Sequence, residues 1–179
     1  MDTASSAAGQ GPGRYVVRRA TDADIPDAAS VQAACLREIG HGVIPEDVLA
    51  DLTGPDTVAS TIDQWRGLAD AGADLWVLAQ QSDGKVVGVA MAQRSQGTDA
   101  PTPLELATIH VLPGARTEGA ADHLLRSAID DEPAFLWVIS GNDRAVKFFE
   151  NNGFRLDESE GSRDDSLGGI PLQRMVRGI

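Results

Sequence analysis

The hydrophobic period of this chain changes near Gly72, and that change constrains the fold more than any other feature. Before it, apolar residues recur at helical spacing: Ile25, Ala28, Val31, Cys35 and Ile39, then Val58, Ile62, Trp65 and Ala69. After it come compact apolar runs at 75–79 and 85–91, with Asp83-Gly84 between them, a strong hairpin signal. A further strand is expected over 104–111, ended by Pro113 and Gly114, then a helix marked by Ala121, Leu124, Leu125 and Ala128. A buried strand at 134–139 and a short helix at 144–151 follow, the latter with Gly153 as its C-cap. Phe154 begins another strand, 157–169 reads as an acidic loop, and 170–177 is the last strand. With a first strand at 14–19, a Thr21/Asp24 cap and helices opened by Pro45 and Pro55, the pattern is α/β with a mixed sheet.

At 179 residues the chain suits one domain with one sizeable core, expected over 14–179 behind a mobile Ala/Ser/Gly-rich tail at 1–13. That tail lacks the basic start and apolar run of a signal peptide, and no run of apolar residues is long enough to span a membrane. The cytoplasm is therefore the expected compartment. Net charge is −12, from 15 basic and 27 acidic residues. Nucleic acid needs a basic footprint, so it is excluded as a partner, and so is an anionic membrane. A cationic small molecule would be attracted, within a screening distance of about 8 Å. One cysteine, Cys35, allows no intrachain disulfide, and His41, His110 and His123 lack metal-ligand spacing, so no metal is expected. Cys35, on an apolar helical face, reads as a small core residue, and Trp65, Trp76 and Trp137 fit core faces.

The segment 111–125 carries the chemistry. A strand ends, the chain turns and a helix begins. The first N–H groups of that helix lack partners within it, and its dipole adds about half a positive charge, so the helix start suits a phosphate. Gly119 and Ala121 keep the approach open, Ala120 lies between them, and Arg116 can add a charged donor. Neither a G-x-x-x-x-G-K-S/T nor a G-x-G-x-x-G signature is present.

These residues resemble a known family. Val111, Pro113, Arg116, Gly119 and Ala121, followed by a helix with a Leu-Leu pair, are similar to the coenzyme A motif Q/R-x-x-G-x-G/A of the GNAT N-acetyltransferases. A second block, 136–142 with Ala145, Phe148, Phe149, Gly153 and Phe154, resembles the family's pattern in the same order. The resemblance spans about residues 14–177. It implies a GNAT fold, with a mostly antiparallel central sheet flanked by helices, in which the fourth and fifth strands splay apart. It further implies that acetyl-CoA enters that gap. The backbone of 116–121, including Thr117 and Glu118, would bind the pyrophosphate. Ile109, His110 and Val111 would pair with the pantetheine arm, and Asn142, Phe148 and Phe149 would lie alongside it.

Acetyl transfer to an amine needs the neutral amine, only about 0.1% of an alkyl amine at pH 7, a deficit of roughly 4 kcal/mol. Glu105 stands 11 residues before Arg116, where several family members carry a general base. The tyrosine that often protonates the departing thiolate is replaced by Phe149, which leaves Ser140 or a water for that step. Glu118 also departs from the family, since a carboxylate there would repel a diphosphate. On the acceptor side the resemblance implies a pocket lined by the segment between the first helices, where Glu38, His41, Glu46 and Asp47 could hold a cation. The expected reaction is direct acetyl transfer from acetyl-CoA to a primary amine of a small cationic metabolite or amino-sugar antibiotic. A protein N-terminus or lysine, or a binding-only regulatory role, are the alternatives. A homodimer is a further possibility that the family suggests.

Overall fold

A computed structural model describes residues 13–95, 97–116, 119–158, 163–164 and 169–178. Residues 1–12 of the expected tail, and Thr117 and Glu118, lie outside the described residues. The chain runs β1 (Tyr15–Arg19), α1 (Ile25–Gly40), α2 (Glu46–Leu52), α3 (Pro55–Asp70), β2 (Asp74–Gln80), β3 (Val86–Arg94), β4 (Leu104–Val111), α4 (Ala120–Ile129), β5 (Ala134–Ile139), α5 (Asp143–Asn151), β6 (Arg155–Leu156), β7 (Arg163–Asp164) and β8 (Ile170–Arg177).

Local chemistry explains the boundaries. Asp24 accepts from both the backbone N–H and the hydroxyl of Thr21, at 2.8 Å each, which closes the turn that leads into α1. The guanidinium of Arg18 grips the same carboxylate with both Nη atoms, at 2.7 and 2.8 Å. Gly72, in the left-handed region at φ 98, ends the helical half of the chain. Pro55 opens α3 where its missing N–H costs nothing. In the β2–β3 hairpin Gly84 takes φ 74, and Gln80 and Lys85 close the loop through a 2.9 Å bond.

The sheet runs β1-β2-β3-β4-β5-β8-β6, with β7 on the margin of β8. Every pair is antiparallel except β4–β5. Two corrections concern its far edge. The strand expected from Phe154 is only Arg155–Leu156, and the segment expected to be wholly loop holds β7, paired to Ile170 and Pro171. Among the described residues β8 is the strand that both pair with.

The sheet is covered on both faces. Ile25, Ala28, Val31 and Cys35 of α1 and Trp65 of α3 pack with Val77, Val89 and Met91 on one side. Leu124, Leu125, Ala128 and Ile129 of α4 pack with Leu78, Ala90 and Leu106 on the other. Burial of each α4 leucine contributes about 1.5–3 kcal/mol. Covering on both faces accounts for β3, which is buried continuously from Val86 to Ala92 rather than alternately. A third cluster, Ile44, Leu49 and Ile170, fastens α2 to the start of β8.

Candidate functional site

The parallel ladder between β4 and β5 is two pairs long: Leu104 with Ala134, and Glu105 with Phe135. Beyond Glu105 the strands part. In β4 the partner of β3 jumps from Thr108 to Leu106, so Ala107 is an extra residue, a bulge that bends the strand. The split sheet opens a cavity of about 790 Å³. The residues of β4 from Glu105 to Val111 form one wall, Leu136 to Ile139 of β5 form the other, and Cys35, Leu36 and Ile39 of α1 cover it.

Alternation along β4 sorts its side chains. Leu106 and Val111 enter the α4-side core. Thr108 faces α1, where its hydroxyl donates to Oε1 of Gln32 at 3.1 Å. Glu105 and His110 share the Thr108 side. Glu105 is half-buried and accepts from Nε2 of Gln93 at 3.3 Å. Burial, aided by the charge of Arg116, lowers the His110 pKa to about 4, so its imidazole is neutral at pH 7.

At the far end of β4 the chain turns through Gly114, whose carbonyl accepts from the Tyr15 hydroxyl at 3.2 Å. Gly119 follows with φ 71 as the N-cap of α4, a conformation that glycine adopts without strain. Among the described residues no side chain caps that helix start. Arg116 is oriented otherwise than expected. Its Nε donates to the Val111 carbonyl at 2.8 Å, and its two Nη atoms grip Glu38 of α1, one of them at 2.8 Å. Arg144 of α5 reaches the same carboxylate at 3.1 Å. Hydrogen bonding from Arg116 above all, and from Arg144, holds the Glu38 carboxyl at about 2 against the opposing effect of burial.

The cavity gathers Glu105, Ile109, His110, Val111, Arg116, Ala121, Asn142, Phe148 and Phe149 from the expected set. Oδ1 of Asn142 accepts from the Ala145 N–H at 3.2 Å, so this residue caps α5 as well as lining the cleft. Phe149 is buried edge-on between Phe148 and Phe154, with centroids 5.2 and 5.6 Å away. Other expected residues are placed elsewhere. Ser140 follows β5 outside the cavity wall, its N–H bonded to the Pro171 carbonyl. His41, Glu46 and Asp47 are exposed on and beside the start of α2, away from the wall, because α2 turns its apolar side to Ile170. Glu38 is occupied by two arginines rather than open to a cation. Sequence reasoning missed Arg144, Leu36 and Ile39. It also placed Cys35 and Trp137 only in the core, whereas both reach the cleft. The burial that lines the cavity pushes the Cys35 thiol pKa up. Among the described residues no cluster of His, Cys, Asp and Glu could hold a metal, and no helix is long and apolar enough to cross a membrane.

Residues 45–154 match the acetyltransferase (GNAT) family. Among solved structures the chain is similar to a phosphinothricin acetyltransferase from Sinorhizobium meliloti in complex with AcCoA. That match has 16% identity and a TM-score of 0.67, and covers 91% of this chain and 87% of that one. It is similar too to a ribosomal-protein-alanine N-acetyltransferase from Brucella melitensis, with 19% identity, TM-score 0.66, and coverage of 91% and 99%. A PaiA N-acetyltransferase from Thermoplasma acidophilum in complex with coenzyme A matches with 13% identity, TM-score 0.60, and coverage of 89% and 97%. No curated protein sequence matches the chain.

Proposed function

The chain belongs to the GNAT acetyltransferase family, and from that premise we propose that it moves an acetyl group from acetyl-CoA to the primary amine of a small molecule by direct attack. The observation that carries this reading is the gap between β4 and β5. From Leu106 onward β4 has no ladder partner on the β5 side, so its N–H and C=O groups are available to the amides of a pantetheine arm. The start of α4 stands at the open end of that gap, and its first N–H groups, which the helix itself leaves without partners, suit the diphosphate. An arm anchored there runs back along β4 and brings its thioester toward Ala107 and Glu105.

An amine would then arrive from the α1 side, where Glu105 faces. The Glu105 carboxylate is the acceptor of its proton, directly or through a water, and attack on the thioester carbonyl expels the coenzyme thiolate. Phe149 brings no hydroxyl to the cleft, so the thiolate leaves unaided or draws a proton from water. A thiol with a pKa near 8.5 tolerates that at neutral pH. His110 is neutral and adds no charge to repel the incoming cation. With Glu38 engaged by arginines and Asp122 accepting from Asn152, Glu105 is the cavity carboxylate on the α1 side that favours a cationic acceptor.

The test is release of free thiol from acetyl-CoA across a panel of primary amines. Turnover with at least one amine is expected, and Glu105→Gln should reduce it about 100-fold or more while leaving coenzyme affinity unchanged. An unchanged rate removes Glu105 as the base. Phe149 favours one other reading, a protein that binds the coenzyme without catalysis. Coenzyme binding with no thiol release from any amine would establish it instead.

A further inference from the structure

Glu38, Arg116 and Arg144 come from three elements and meet at one point of the cleft. Arg116 follows β4, Arg144 stands in the first turn of α5 after β5, and Glu38 belongs to the last turns of α1 above them. The two cations thus come from the two arms of the split sheet, and both line the cavity. Two guanidinium groups share one carboxylate, which leaves a net positive charge at this place. Arg116 does not depend on Glu38 for its position, because its Nε is fixed separately to the Val111 carbonyl at 2.8 Å. Removing Glu38 would leave a fork of donors still aimed at the cleft. Guanidinium forks match phosphate as well as carboxylate.

We propose that Arg116 and Arg144 form an anion site for a phosphate of the coenzyme, and that Glu38 is its resident competitor, displaced when the coenzyme binds. The proposal rests on the coenzyme reading above. The side chains of Glu38 and Arg144 are 35% and 57% exposed. Water screens the Arg144 contact most, whereas Arg116, 24% exposed, holds Glu38 with both Nη atoms, and a phosphate, carrying more charge than one carboxylate, can compete for both guanidinium groups. Leu36 and Ile39 flank Glu38 and cover the cavity. Release of Glu38 would therefore present a free carboxylate beside Leu36 and Ile39, on the side of the cavity that faces the acceptor.

Calorimetric titration of the full chain at fixed salt, with coenzyme A and with its 3′-dephospho form, tests this. Glu38→Gln should tighten coenzyme A binding about 3- to 10-fold, since the competent state no longer has to be freed from an internal ligand. Arg144→Gln should weaken it by a similar factor. In the double variant the gain from Glu38→Gln should shrink, because one of the two freed donors is gone. If the Arg144→Gln effect disappears with the dephospho form, the anion is the 3′-phosphate, and if it persists, the anion is the diphosphate. Either result supports the site. Binding that Glu38→Gln leaves unchanged or weakens overturns the competitor, and so does an Arg144→Gln variant that binds as tightly as the parent. Should Glu38→Gln fail to fold by thermal melting, Glu38→Asp, too short to span both arginines, must tighten binding in its place. If the unaltered protein binds no coenzyme A at all, the proposed function falls and this inference falls with it. Failure of the variants alone leaves the function standing.

Discussion

Gly88 sits on β3 opposite Val111, the last residue of β4. A Cβ added there would lie 3.0 Å from Leu78 Cβ, 3.1 Å from Val111 Cγ2 and 3.2 Å from the His110 carbonyl oxygen. None of these is the tip of a flexible side chain. Leu78 is 1% exposed and Val111 6%, so neither strand has room to retreat. Gly88→Ala therefore overpacks the sheet where the last residues of β4 line the cleft. Overpacking of this kind costs about 1–3 kcal/mol. The smaller unfolded-state entropy of alanine returns about 0.4–1 kcal/mol. The net destabilisation is about 1–2 kcal/mol, which for a chain of this size lowers the Tm by about 2–8 °C. Relief comes most easily by pushing the 110–111 end of β4 outward, so coenzyme A affinity should fall too. Differential scanning calorimetry and coenzyme titration of Gly88→Ala measure both. An unchanged Tm together with an unchanged Kd would refute the claim that this end of β4 is held rigidly by its neighbours.

Three further outcomes are expected. Leu124→Ala, at a fully buried position of α4, should cost about 2–5 kcal/mol in denaturant unfolding, and a loss below 1 kcal/mol would contradict close packing of α4 on the sheet. Phe149→Tyr should raise the rate of thiol release if the hydroxyl reaches the cleft, by up to about 100-fold, and no gain in a folded variant would show that departure of the thiolate does not limit turnover. The acid limb of stability should have two parts. His110 has a folded pKa of about 4 against an ordinary 6.5, so the folded state binds fewer protons and stability falls as pH drops from 6.5 to 4. Hydrogen bonds from Arg18 hold the Asp24 carboxyl below the usual carboxylate range, so its contribution is present above the ordinary pKa and is lost at still lower pH. His110→Gln should flatten the upper window alone, and Asp24→Asn should reduce the lower one, which Glu38 shares, in unfolding free energies measured against pH. A wild-type profile flat from pH 6.5 to 4 would remove His110 from this account.

Several features were legible without coordinates because they are local. The helical spacing from Ile25 to Ile39, the Thr21/Asp24 cap, the Asp83-Gly84 hairpin and Gly119 before α4 each depend on residues within a turn or two of one another. Those interactions form in the same way wherever the segment lies. The loop after β4 and the block from Leu136 to Phe154 were equally readable, since each is a strand followed by a helix start. By contrast, the depth of the split between β4 and β5 depends on where a parallel ladder stops, and that is set by the bulge at Ala107 and by packing on both faces.

The charged groups show the same division. Local pattern put Arg116 in the loop after β4, and the family resemblance put Glu38 on the acceptor side. Their pairing could not be foreseen. Glu38 is 78 residues from Arg116 and 106 from Arg144, and no periodicity relates positions so distant. Only the fold, by laying α1 across the two arms of the opened sheet, brings one carboxylate within reach of both cations. Composition and local pattern determined which elements form and that a helix start suited to a phosphate follows β4. Tertiary structure decided which charges neutralise one another, because ion pairing depends on distance in space and on the water excluded around it.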